Sequence, residues 1–144
     1  MKKNRILLTL VLVLSVVLLS GCTKKDAKLT CTQTSSGVDI EFNVGFKGNT
    51  IQTMDFNYDM DLSNYSDTQI TAIGKQDFCT TVKNYMSSFK DAFTNCDQDI
   101  VDKHLKVNSV LDVNKIVKSY LQKISSPAAA KKELEAEGYK CVIK

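Results

Sequence analysis

The sequence predicts a single small α+β domain, an antiparallel β-sheet packed on one face by about three helices. Three observations lead there. Apolar and polar residues alternate over residues 38–62 on either side of a Gly-Asn pair, apolar residues recur at helical spacing over residues 78–93, and Ser126-Pro127 opens an alanine-rich stretch closed by Gly138. The composition is that of an ordinary globular protein: 144 residues, 43% hydrophobic, 24% charged, one Pro and no Trp. Collagen-like, low-complexity and multidomain architectures are thereby excluded.

The first elements belong to targeting. Lys2, Lys3 and Arg5 precede a 14-residue apolar run over residues 6–19, interrupted only by Thr9 and Ser15. A bilayer-crossing helix needs about 20 apolar residues, so the run reads as the core of a secretory signal. Leu19-Ser20-Gly21-Cys22 resembles the lipobox of bacterial lipoproteins, which implies a signal peptide over residues 1–21 and a diacylglyceryl group on the Cys22 thiol. Two acyl chains, at about 0.8 kcal/mol per buried methylene, suffice for stable anchoring. Residues 22–28 then form the lipidated cysteine and a polar tether, and residues 29–144 the domain. The expected location is the extracytoplasmic face of the cell membrane, with the N-terminal lipid as the membrane contact. Removing Lys2, Lys3 and Arg5 leaves 16 basic against 16 acidic residues. A neutral domain lacks the cationic excess that phosphate neutralisation requires, so no nucleic-acid partner is expected.

Within the domain, residues 29–34 form a short first strand. Val38, Ile40, Phe42, Val44 and Phe46 face the core on the second, and Met54, Phe56, Tyr58, Met60 and Leu62 on the third. Ile51 breaks that parity. A two-residue Gly48-Asn49 loop would set Phe46 opposite Ile51 and require a β-bulge near Gln52 or Thr53. Phe78, Val82, Tyr85, Met86, Phe89 and Phe93 predict one long helix starting near Gln76. Residues 104–113 read as a strand, and Ile116, Val117, Tyr120, Leu121 and Ile124 as a second helix. The third has Ser126 as N-cap, Pro127 at its first position and Gly138 at its left-handed end, and residues 139–144 form a last strand.

This order of elements resembles the YehR-like family of small, functionally uncharacterised bacterial lipoproteins. The carrying features are the lipobox at Cys22, the alternating strand into Phe46-Lys47-Gly48, the long helix from about Gln76, and the alanine-rich helix ending Glu137-Gly138-Tyr139-Lys140. The resemblance implies an antiparallel sheet covered by helices and displayed on the membrane surface, and no activity. One departure is the set of four cysteines beyond Cys22.

Those four, Cys31, Cys79, Cys96 and Cys141, are an even number in an exported protein and predict two disulfides. On one continuous helix the 17 positions between Cys79 and Cys96 span roughly 25 Å, far beyond the ~7 Å limit for a disulfide, so that pairing would require the helix to break. Alternating chain directions bring Cys31 to Cys96 and Cys79 to Cys141, which is the expected pairing. A second helix lying across the sheet would instead pair Cys141 with Cys96 and Cys31 with Cys79.

Catalytic motifs are missing from the sequence: no Gly-rich phosphate loop, HExxH, EF-hand or CxxC pattern occurs, and His104 is the one histidine. No catalytic residue, cofactor or metal ligand is therefore assigned, and the protein is expected not to be an enzyme. Asp39, Glu41, Asp55, Asp59 and Asp61 share the outer face of the hairpin, but carboxylates two positions apart on a strand stand about 7 Å apart, too far for tight Ca²⁺ chelation. Residues 55–102 carry nine Asp against three Lys, and residues 103–144 nine Lys against four acids, a polarity most simply met by pairing within the fold. The function expected first is a non-enzymatic binding or interaction module, whose partner is another surface protein or a small molecule. Behind it stand a carrier or sensor of a small apolar ligand, held by residues such as Phe42, Phe56, Met86 and Phe89, and an unrecognised hydrolase.

Overall fold

The computed structural model describes residues 26–144, so the expected signal peptide and the Cys22 lipid site lie outside the described residues. Six strands form one antiparallel sheet in the order β4-β5-β3-β2-β1-β6. β1 (Asp26–Ser35), β2 (Val38–Lys47) and β3 (Thr50–Asp61) are consecutive neighbours. β1 is longer than expected, because Asp26, Ala27 and Lys28, placed in the tether by sequence, pair with Lys47, Phe46 and Gly45. The β2–β3 hairpin follows its alternation: Phe42, Val44, Phe46, Met54 and Phe56 are buried. Lys47 stands opposite Thr50, with Gly48 at φ 62° leading the two-residue loop, as a type II′ turn requires. Gly45 faces Thr53 and Phe46 faces Ile51, which makes Gln52 the extra residue of the expected bulge.

The long helix is not continuous. After α1 (Asp67–Gly74), α2 covers only Phe78–Tyr85, a 3-10 segment runs over Ser87–Ala92, and Phe93 already begins β4 (Phe93–Val101). Met86, at φ −94° and ψ 64°, turns the chain out of the helix, and Ser87-Ser88 follow, residues whose hydroxyls compete for the backbone. The apolar spacing survives this break because Val82 and Phe89 still reach the core, whereas Tyr85 is 90% exposed. α1 carries a signal legible in the sequence but not used above, the Ser66-x-x-Gln69 capping box, in which the Gln69 side chain accepts from the Ser66 N–H at 2.9 Å.

β4 was hidden by an inward polar residue. Gln98 accepts from the Phe78 and Cys79 N–H groups at 2.8 and 3.3 Å and donates to the Gln76 carbonyl at 2.7 Å, so its amide satisfies the exposed start of α2. β4 returns through Asp102 and Lys103, both at positive φ as in a type I′ turn, to β5 (His104–Leu111). Leu105, Val107 and Leu111 of β5 are buried. A short 3-10 turn (Val113–Lys115) leads to α3 (Lys118–Lys123), shorter than expected, then to α4 (Pro127–Ala136) and β6 (Lys140–Ile143). Ser126 caps α4 by accepting from the Ala129 N–H at 3.1 Å, as expected. The buried set joins these strands to Val82, Phe89, Ala92, Ile116, Ile124, Ala130 and Leu134.

Both disulfides differ from the expected pairing. Cys31 bonds Cys141, its directly opposite neighbour on β6, and Cys79 bonds Cys96 with Cα atoms 5.9 Å apart. The expected Cys31–Cys96 and Cys79–Cys141 bonds fail for one reason: the helix ends at Tyr85, so β4 doubles back alongside α2 and carries Cys96 to Cys79. The strand register then aligns Cys141, Cys31, Phe42, Phe56, Ser109 and Cys96 in one row across all six strands.

Peptide mapping of the non-reduced protein is expected to recover a Cys31–Cys141 fragment and a Cys79–Cys96 fragment, and no other cystine pair among these four. Phe42, at the middle of the row and 5% exposed, should lose roughly 3 to 5 kcal/mol of stability as Phe42→Ala. Asp59→Ala, on the solvated face, should lose under about 1 kcal/mol in the same denaturant series.

Candidate functional site

Two surfaces have the geometry of a site, one on each side of the sheet. On the outer face the register sets Asp39 opposite Asp59, Glu41 opposite Asn57 and Asn43 opposite Asp55. Like charges directly opposite would repel. Each acid has a partner instead: Thr34 donates to Asp39, His104 Nδ1 lies 2.7 Å from Asp59, and Glu41 accepts from Asn43 at 2.6 Å and from Asn57 at 3.2 Å. Asn43, 5% exposed, also donates to Asp55 and accepts from Thr30. The carboxylates are thus spent on the sheet's own hydrogen bonds. Among the described residues no three His, Cys, Asp or Glu side chains come together to hold a metal ion. A shallow concavity of about 430 Å³ lies over this face, lined by Thr32, Thr34, Asp39, Glu41, Asn57 and Asp59.

The second surface is a cleft of about 210 Å³ on the core side, lined by five aromatic rings from five segments. Phe42 comes from β2, Tyr85 from the last residue of α2, Phe89 from the 3-10 segment, Tyr120 from α3 and Tyr139 from the turn after α4. Four of them form a chain of contacts. Tyr139 meets Phe42 at 5.7 Å and Phe89 meets Tyr120 at 4.7 Å, both edge to face at 76°, and Phe42 and Phe89 lie 6.2 Å apart. Edge-to-face contact lays the positive edge of one ring against the negative face of the next, so the four rings form one packed cluster.

Local chain geometry explains how Tyr139 arrives there. The Tyr139 N–H donates to the Leu134 carbonyl and the Gly138 N–H to the Glu135 carbonyl, each at 3.1 Å, with Gly138 at φ 97°. This is the Schellman end expected of an alanine-rich helix closed by glycine, and it folds Tyr139 back beside Leu134, another lining residue. The same turn places Glu137 at the cleft, where it is the one charged lining residue. Burial first, then the Glu137 and Glu133 carboxylates, push the Tyr120 hydroxyl far above its ordinary ionisation range. Burial and then Glu137 and Tyr85 raise Tyr139 as well. Both phenols are neutral donors at any physiological pH.

Of the residues named from sequence for an apolar pocket, Phe42, Met86 and Phe89 line this cleft. Phe56 does not: it is 4% exposed and packs behind Phe42 with ring centroids 5.0 Å apart. Tyr85, Tyr120, Tyr139 and Glu137 were missed as site residues, the first two because helical spacing assigned them to the core and the others because only the Schellman turn brings them to the cleft. His104 opens β5, half exposed, and its contact with Asp59 joins the acidic middle of the chain to its basic end, whereas the lysine–carboxylate pairs within 4 Å among the described residues all lie within that basic end. Lys106 stands between Asp59 and Asp99 in the strand register.

No protein-family model matches the chain, and no curated protein matches its sequence. Two solved structures are similar to it. The NMR structure of the Escherichia coli YehR protein matches 84% of this chain and 94% of its own, with a TM-score of 0.52 and 18% identity. The NMR structure of a protein from Streptococcus pneumoniae TIGR4 covers 85% and 88%, with a TM-score of 0.46 and 11% identity. The first likeness supports a YehR-like fold.

The raised Tyr120 hydroxyl has a consequence for stability. In the unfolded chain it ionises at the ordinary value of 10.0, while in the folded protein it stays protonated, so its contribution is intact below pH 10.0 and is lost as pH rises beyond it. Tyr120→Phe, which keeps the ring and removes the titration, should therefore lose less stability than the wild type when denaturation midpoints at pH 9 and above pH 10.0 are compared.

Proposed function

We propose that the protein is a membrane-anchored bacterial lipoprotein of YehR-like type, whose helix-covered sheet domain is a non-enzymatic binding module on the extracytoplasmic face. The observation that carries this reading is the coincidence of the lipobox at Cys22 with four further cysteines that form two disulfides. Disulfides persist in oxidising compartments, and export is what the basic residues and short apolar run provide. Among the described residues no helix is long and apolar enough to cross a membrane, so on this reading the Cys22 lipid supplies the anchor.

Binding is favoured over catalysis by the character of the aromatic cleft. Its lining of Phe, Tyr, Met, Leu and Ser side chains with the Glu137 carboxylate contains no histidine, cysteine or lysine to pair with a hydroxyl, whereas acid–base or nucleophilic chemistry needs a nucleophile and a base within hydrogen-bond reach.

Growth with radiolabelled fatty acid tests the anchor. Label is expected in the wild-type protein and in the membrane fraction, and Cys22→Ser is expected to lose both. An unlabelled wild type, or equal labelling of Cys22→Ser, would overturn this reading.

A further inference from the structure

We propose that the tether end of the sheet is a membrane-docking surface, on which Lys28, Lys47 and Lys144 bind the phosphates of anionic phospholipid headgroups and stand the domain upright on the bilayer. The inference rests on the anchored-lipoprotein reading and names the partner of the anchored end.

The first support is where the strands begin. Thr23, Lys24 and Lys25 alone separate Cys22 from Asp26, the first residue of β1, and four residue steps span at most about 14 Å. A lipid on Cys22 therefore keeps the beginning of β1 within that distance of the bilayer surface, whatever path the tether takes. Register decides what else lies there. Asp26 pairs with Lys47 at the end of β2, Lys28 pairs with Gly45, and Lys28 and Lys144 exchange N–H···O bonds of 2.9 Å. Three strands thus deliver lysines to the end that the anchor holds at the membrane.

The second support is the shape and charge of that end. The three lysines, with Asp26, Gly45 and Gln52, line a concavity of about 430 Å³. Gly45 keeps it open, because it faces Thr53 and a Cβ there would collide with the Thr53 hydroxyl. Lys28 and Lys144 stand directly opposite each other, an arrangement of like charges that costs stability and that an anion between them relieves. With Lys24 and Lys25, five lysines fall in the tether and this concavity against one aspartate.

Orientation follows from where the acids lie. Thr34, six positions along β1 from Lys28, stands opposite Asp39, and Asp39 opposite Asp59, which at the rise of a strand puts this acidic row about 20 Å from the lysines. Physiological salt screens exposed charges beyond about 8 Å, so an upright domain holds its cations in the field of the headgroups and Asp39 and Asp59 outside it. A domain lying on its outer face would press both sets against the phosphates. Lys140, next to Tyr139, pairs with Thr32, about 14 Å along β1 from Lys28, so the aromatic cleft stays above the headgroups. Headgroups also fit better than a free phosphate ion. The amino groups sit on exposed, flexible stems, without the fixed donors that select one small anion, and a bilayer offers a field of phosphates that demands no fixed geometry.

The test is reductive methylation of lysines with formaldehyde, an uncharged reagent, and cyanoborohydride. The full lipidated chain is reconstituted into vesicles of phosphatidylcholine alone or with phosphatidylglycerol, and each lysine is followed by mass spectrometry. Lys28, Lys47 and Lys144 are expected to react about fivefold more slowly on the anionic vesicles, the range a lysine gains near an anionic surface, while the exposed Lys103 and Lys106 at the far end keep their rates. In the double variant Lys47→Gln/Lys144→Gln, both exposed positions outside the core, Lys28 is expected to regain most of its rate. Inorganic phosphate added to neutral vesicles is expected to leave all rates unchanged. Equal rates on the two kinds of vesicle, equal slowing of Lys103 and Lys106, undiminished slowing of Lys28 in the double variant, or phosphate matching the anionic vesicles would each overturn the inference. A chain that carries fatty acid on Cys22 yet shows no slowing would overturn it too, and would leave the anchored-module reading standing.

Discussion

Cys31 and Cys141 face each other across the β1–β6 ladder, and the last strand depends on that bond. β6 has four residues and one neighbour, an edge position that its own hydrogen bonds would hold weakly. The cystine joins positions 110 apart in sequence, and in the chain-entropy picture closing a loop of that length stabilises by about 4.7 kcal/mol. Its effect extends inward, because Cys31 lies opposite Phe42 and Phe42 opposite Phe56. With β6 secured, Tyr139 at its threshold is held against Phe42, and the cleft has a wall.

The opposite end of the same row is closed in another way. α2 has eight residues, too few to be stable alone, and it has no strand ladder to join. It is fastened at its first turn, where Cys79 bonds Cys96 of β4 and Gln98, two residues along the same strand, satisfies the first backbone donors of the helix. Asp77 caps the same end by accepting from the Thr80 N–H at 2.9 Å. That anchorage lets α2 stop at Tyr85 and lets the 3-10 segment turn Phe89 into the core, where a continuous helix would have carried the chain past it.

The two faces of the sheet divide the chemistry. On the outer face, charged and amide groups satisfy one another across the strands, which permits Asn43 to be buried without an orphaned polar group. On the inner face the phenols, the Ser87 and Ser88 hydroxyls and one carboxylate at the rim gather where α3, the 3-10 segment and the end of α4 meet. Tyr120 and Tyr139 stay protonated there because burial and the nearby carboxylates oppose their ionisation.

Sequence by itself determined the β2–β3 hairpin down to its bulge, because the broken parity at Ile51 and the two-residue Gly48-Asn49 loop leave one register that buries Phe42, Val44, Met54 and Phe56 together. It determined both ends of α4 for a related reason: Ser126, Pro127 and Gly138 act through local backbone geometry that needs no distant partner. Only the tertiary structure decided the cystine pairing, the extent of α2 and the existence of β4. Apolar residues spaced by three and four fit one long helix and two short helical pieces equally well, and an inward Gln98 masked the strand's alternation because its partners, the Phe78 and Cys79 amides, are contributed by another element. The cleft was half legible for the same reason. Phe42, Met86 and Phe89 were recognisable as apolar positions, but the rings and the carboxylate that complete it are brought together by a break in one helix and a left-handed turn at the end of another, and their meeting is a property of the packed chain.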